Sequence, residues 1–186
     1  MTRRTNDTQA ILRHWREAVP NDRLAHLVKD ATRALVRALS SRLAAHKVSF
    51  GHWAFLRILW ERDGITQREL SEQAGVMEPT TFAALKAMER LGYIVRRKGR
   101  SDQKRVYVYL TPRGRVLKSR LVPLAEDVNQ VAVRGLKPAD VVAARQVLLA
   151  IIDNLARDEA VQERPMPSTR ALAAMRGPKA RSAVSR

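Results

Sequence analysis

The stretch from Thr66 to Thr111 constrains this chain more than any other, because its turn signals, periodicities and charges follow one another in a fixed order. Asp63-Gly64 marks a turn. Thr66-Gln67-Arg68-Glu69 then has capping-box spacing, in which a hydroxyl and a carboxylate three residues apart each satisfy the other's free backbone N–H. The short helix opened there closes at Gly75, a residue type that accepts the left-handed conformation of a helix end. Pro79 falls in the first turn of a second helix, where its missing N–H removes no helical bond. That helix carries Thr81, Ala84, Leu85 and Met88 on one buried stripe and ends at Leu91-Gly92. Tyr93-Ile94-Val95, the cations between Arg96 and Arg105, and the alternating run Val106-Tyr107-Val108-Tyr109-Leu110 predict a β-hairpin with a basic tip, to which Ile65 adds a short strand. Two helices about a glycine-containing turn, followed by a basic hairpin, describe a winged helix-turn-helix.

The same residues resemble a known family. Leu70-x-x-x-Ala74-Gly75-Val76 before Pro79-Thr80, Met88-Glu89-x-x-Gly92-Tyr93-Ile94, and Asp102-x-Lys104 leading into Leu110-Thr111-x-x-Gly114 look like MarR-type transcriptional regulators, over roughly residues 22–157. The resemblance implies a two-fold homodimer that binds a palindromic operator in double-stranded DNA and often releases it when a small phenolic compound binds. It also implies that Asp102 pairs with a wing cation and braces the hairpin tip. Three positions depart from the pattern. Lys104 stands where Arg is usual, and an ammonium cannot form the planar fork of a guanidinium. Met77 stands where a polar N-cap is common, and Ala83 where the reading helix commonly has a basic residue.

The charge balance agrees with a polyanionic partner. With a formal net charge of +17 over 186 residues, nucleic acid is the expected target; no separate basic amphipathic helix serves a membrane surface. The absence of cysteine removes disulfides, Cys-ligated zinc and thiol redox sensing. No apolar run approaches the roughly 18 residues of a spanning helix, and no signal-peptide core is present, so a cytoplasmic location is expected. His14, His26, His46 and His52 have no metal-site spacing, and neither a nucleophile elbow nor a phosphate-cradling glycine loop occurs. The expectation is a non-enzyme with no metal and no cofactor.

Outside the motif, the chain reads as mainly α (α+β): a winged helix-turn-helix with long N- and C-terminal dimerisation helices. Residues 1–20 form an N-terminal arm in which Ile11, Leu12 and Trp15 favour an anchor on a partner subunit. Residues 21–50 and 111–157 form the helical dimerisation region, and 51–110 the DNA-binding domain. Leu24, Val28, Ala31, Leu35, Leu39 and Leu43 recur at helical spacing from about Arg23 to His46, and Gly51–Arg62 gives a second helix. Thr111-Pro112 starts a long helix reaching about Arg134, with Pro123 a candidate kink. A last helix carries Val142, Leu148, Leu149, Ile152 and Leu155. One small winged domain cannot bury three long apolar faces, so they predict an obligate homodimer. Residues 158–186 form a basic tail of disordered composition.

The residues expected at DNA follow from these placements. The outward face of the reading helix holds Thr80, Phe82, Ala83, Lys86 and Arg90. Lys86 and Arg90 suit phosphates, Lys86 also a guanine edge, and an exposed Phe82 suits thymine methyl groups; packing of Phe82 on the preceding helix is the equal alternative. Arg96, Arg97, Lys98 and Arg105 suit phosphates, Arg100 a minor groove, and Lys104 lies among them. For an effector, the joint between dimer helices and winged domain concentrates His46, Ser49, His52, Trp53 and Arg57, which together suit a small aromatic carboxylate. Two functions follow: a ligand-responsive, sequence-specific repressor released by a small aromatic acid, or an architectural, nucleoid-type DNA-binding protein without small-molecule control.

Overall fold

A computed structural model describes residues 7–17, 24–99 and 105–162. They form α1 (Asp7–Glu17), α2 (Leu24–Ala44), α3 (Phe50–Glu61), β1 (Ile65–Thr66), α4 (Gln67–Ala74), α5 (Glu78–Arg90), β2 (Ile94–Lys98), β3 (Val106–Leu110), α6 (Pro112–Ala132) and α7 (Pro138–Gln162). The chain divides into two units, Met1–Arg134 and Gly135–Arg186.

Local chemistry sets most of the boundaries in the first unit. Thr66 accepts from the Glu69 N–H at 3.2 Å, and its own N–H donates to the Glu69 carboxylate at 2.8 Å, completing the capping box of α4. Gly75 ends α4 at φ +63, a conformation that penalises a Cβ. Thr111 caps α6 by accepting from Gly114 N–H at 3.1 Å, with Pro112 in the first turn. Ser49 caps α3 in the same way, accepting from His52 N–H, so α3 begins a residue earlier than the composition suggests. By contrast α5 begins at Met77, which offers no side-chain cap. Pro123 does not interrupt α6; it stands on an exposed position, and the helix continues to Ala132.

The sheet has the order β1-β3-β2, all antiparallel, with Ile65 opposite Val108 and Ile94 opposite Leu110. One core lies beneath it. Leu43 of α2, Leu56 and Leu59 of α3, Leu70 of α4, Leu85 and Met88 of α5, Ile94 and Val108 of the sheet and Leu121 of α6 are all buried. Each such side chain contributes about 1.5–3 kcal/mol relative to exposure, so the winged motif and the α2–α6 pair share one cooperative interior. Long-range polar links tie α6 to the other elements, the Arg115–Asp63 pair at 2.8 Å among them. The Trp60 indole donates to the Gly114 carbonyl at 2.9 Å, and Arg42 pairs with Asp127 at 2.7 Å.

The helix α1 lies on α2 of its own chain, with Trp15 Nε1 donating to Asp30 Oδ2 at 3.0 Å. In the second unit, α7 carries Val142, Val147, Leu148, Leu149, Ile152 and Leu155 exposed along its length. No helix among the described residues is long and apolar enough to cross a membrane.

Candidate functional site

Two buried groups set the angle between α4 and α5. Ser71 Oγ donates to Thr81 Oγ1 at 2.7 Å, and both side chains are removed from solvent. Thr81, Leu85 and Met88 form the inward stripe of α5, which leaves Thr80, Phe82, Ala83, Lys86 and Arg90 all exposed on the outside. Phe82 is 50% exposed and does not tuck against α4. Instead, the Arg96 guanidinium from β2 stacks over its ring, 5.4 Å from the centroid.

Arg96, expected at a phosphate, is engaged within the protein. Its Nε and Nη2 donate to Glu89 Oε2 at 3.0 and 2.7 Å, and its backbone N–H donates to Oε1 at 3.1 Å. Those bonds hold the Glu89 carboxyl below its ordinary range, against a smaller opposing effect of burial. The first wing strand is therefore riveted to the last turn of the reading helix. Arg97, next along, is exposed, with its guanidinium 5.6 Å from the centre of the Tyr109 ring, and Lys98 is exposed beyond it. The hairpin narrows at Gly99, whose N–H donates to the Arg105 carbonyl. Arg100, Asp102 and Lys104, expected at the tip, lie outside the described residues. Arg105 re-enters on an exposed position beside the α4 capping box.

The five residues expected to hold an effector do not converge. Trp53 and Arg57 line a cleft of about 550 Å³ between α2, α3 and α6, together with Phe50, Trp60 and Lys118. Trp53 and Trp60 meet edge to face at 5.6 Å. Ser49 is occupied as the α3 cap, and His46 lines a different cleft. His52 Nδ1 is buried with no hydrogen-bond partner among the described residues, and burial lowers its pKa. Burial therefore disfavours its charged form. Lys118, Phe50 and Trp60, with Glu61 and Glu126, were missed as cleft residues: Lys118 and Glu126 lie on α6, and nothing local in the sequence brings them to the same cleft as Arg57.

A helix-turn-helix with its reading face exposed and a basic hairpin beside it defines a winged-helix DNA-binding protein. The comparisons with known proteins agree. Residues 48–106 match the MarR family model. The chain is 30% identical over 141 residues to the HTH-type transcriptional regulator TtmR of Methylorubrum extorquens, covering 75% of this chain and 68% of that one. It is 28% identical over 107 residues to the homoprotocatechuate degradative operon repressor of Escherichia coli, covering 58% of this chain and 72% of the relative. Among solved structures, Bordetella bronchiseptica BpsR, described for regulation of its DNA binding by 6-hydroxynicotinic acid, superposes with a TM-score of 0.65 at 22% identity, covering 70% of this chain and 98% of BpsR. That last likeness concerns the fold. The chain belongs to the MarR family and is a DNA-binding transcription regulator.

Proposed function

We propose that this protein is a ligand-responsive repressor that binds a palindromic operator as a homodimer and is released by a small aromatic acid. The observation that carries the DNA half is the α5 face: Phe82, Lys86 and Arg90 stand outward beside the exposed Arg97 and Lys98 of the wing. The dimer rests on the apolar residues left exposed on α2 (Leu24, Leu27, Leu35) and, separately, on α7, which need a protein surface against them.

The effector half rests on the cleft lined by Phe50, Trp53, Trp60, Arg57 and Lys118. Its aromatic wall suits a ring, and Arg57 suits a carboxylate, which a guanidinium takes in bidentate fashion, while Lys118 offsets part of the charge of Glu61 and Glu126 on the same lining. BpsR, regulated by 6-hydroxynicotinic acid, and the homoprotocatechuate operon repressor make such an acid the natural class to try. The cleft is built from α2 and α6 on one side and α3 on the other, so a ligand there biases the spacing of the reading helices. Tenfold relief of DNA binding needs only about 1.4 kcal/mol of coupling.

The experiment is footprinting on genomic DNA, followed by a screen of benzoate- and pyridine-carboxylates against the protein–operator complex. A few protected palindromes and release by at least one acid are expected, with Arg57→Ala needing at least about tenfold more acid and His46→Ala responding like wild type. Unbroken coverage of DNA would favour an architectural protein, and an unchanged response of Arg57→Ala would move the pocket elsewhere.

A further inference from the structure

The cations at the start of α6 have the wrong sign for the helix that carries them. Arg113, Arg115, Lys118 and Arg120 occupy its first half with no acid before Glu126, and the positive end of the helix dipole disfavours the cations of the first turn, Arg113 and Arg115. Arg115 is neutralised by Asp63 at 2.8 Å, and Lys118 faces the cleft that also holds Glu61 and Glu126. Arg113 and Arg120 have no carboxylate partner among the described residues. They project on the opposite flank of α6, into a second cleft of about 540 Å³ whose other charged or titratable groups are Tyr93 and, from the turn after α2, His46 and Lys47. The Arg113 guanidinium is braced over the Tyr93 ring at 5.3 Å from its centroid. Lys47 takes φ +58, the only positive φ of a non-glycine residue among those described. Three cations thus converge with no acid lining the space, and one occupies a backbone conformation that glycine holds most easily.

We propose that this cleft is a binding site for a small, multiply charged oxyanion of the phosphate-ester or pyrophosphate type. Two guanidinium forks and one ammonium match an anion of two or more charges. The site touches the switch region. The Tyr93 carbonyl accepts from Thr111 N–H at 3.0 Å and from its hydroxyl at 3.1 Å, where the end of the reading-helix turn meets the start of α6. An anion held between Lys47 and Arg113 therefore clamps the α2–α3 turn to that junction, independently of any acid in the aromatic cleft.

The test is calorimetric titration of the full-length protein, without DNA, with inorganic pyrophosphate at about 0.15 M salt, where exposed charges are largely screened. One saturable site per chain is expected. Arg120→Gln and Lys47→Gly should each weaken it at least tenfold, while Arg57→Gln in the aromatic cleft leaves it unchanged. Lys47→Gly also guards against misfolding, because glycine relieves the positive φ and its melting temperature should match or exceed wild type. Absence of saturable binding, or equal affinity in all three variants, overturns the proposal. So does the remaining source of phosphate: if pyrophosphate fails to bind but Arg120→Gln weakens random duplex DNA and flattens its salt dependence, the cleft is a contact for the DNA backbone.

Discussion

Arg96 and Glu89 are joined three times, through two guanidinium nitrogens and one backbone N–H, across the junction between wing and reading helix. The same guanidinium covers one face of Phe82, so the ion pair also orients the most prominent apolar group on the α5 surface. Glu89→Gln should loosen this joint by about 0.5–1 kcal/mol, a modest figure because the Glu89 side chain is 36% exposed and solvent screens it. The pH dependence follows from the lowered carboxyl pKa. The contribution is fully present above the ordinary carboxylate value, and is lost as the pH falls through the depressed one. Thermal melts of wild type and Glu89→Gln between neutral pH and about pH 3 should therefore converge at the acid end; a constant gap would mean that the carboxylate charge is not what matters.

Phe82 and Arg97 should fail in different ways. Phe82→Ala removes a half-exposed ring, so its melting temperature should stay near wild type, while discrimination between thymine and uracil disappears at one symmetric pair of operator positions. Arg97→Ala should weaken operator and random DNA alike and reduce the salt slope by about one for each phosphate it no longer neutralises. Binding titrations against substituted operators at several salt concentrations separate the two. Equal losses on every sequence for Phe82→Ala would remove it from base readout.

The buried Ser71–Thr81 hydrogen bond predicts a non-additive pair. Thr81→Val keeps the shape but leaves the Ser71 hydroxyl without its acceptor, costing about 1–3 kcal/mol. Adding Ser71→Ala should recover part of that loss, since removing both partners removes the unmet polar group. Urea unfolding of the four proteins in the cycle should give a coupling of at least about 0.5 kcal/mol. Strict additivity would show that the two hydroxyls do not depend on each other.

Gly114 is a steric requirement. A Cβ built there would stand 2.1 Å from the Tyr93 carbonyl oxygen, a backbone atom that is itself held by Thr111. Gly114→Ala should cost about 3 kcal/mol or more, seen as a fall of roughly 6–12 °C in melting temperature. A fall under about 2 °C would mean that α6 slides away from the reading-helix turn without penalty.

Much of the motif was legible because its determinants are local. Thr66 and Glu69 find each other three residues apart, Thr111 caps through Gly114, and the period-two run of β3 reports its own alternation; a short window contains every partner. The outward face of α5 was legible for the same reason, since helical phase alone separates Thr81, Leu85 and Met88 from Phe82, Lys86 and Arg90. The five residues expected at an effector separate where that logic stops. His46, Ser49, His52, Trp53 and Arg57 are close along the chain, but a turn and about 100° of rotation per helical residue send them to different places.

The sequence by itself determined the winged helix-turn-helix, its caps, its buried stripe and its basic character, because short-range hydrogen bonds and periodicity are written in neighbouring residues. Only the tertiary structure decided that Trp15 closes on Asp30, that Arg96 serves Glu89 and Phe82, that Lys118 lines the same cleft as Arg57, and that Lys47, Arg113 and Arg120 share a cleft without an acid. Most of those relationships join helices or strands set at angles fixed by the common core, and side chains from separate elements meet only when that core has formed.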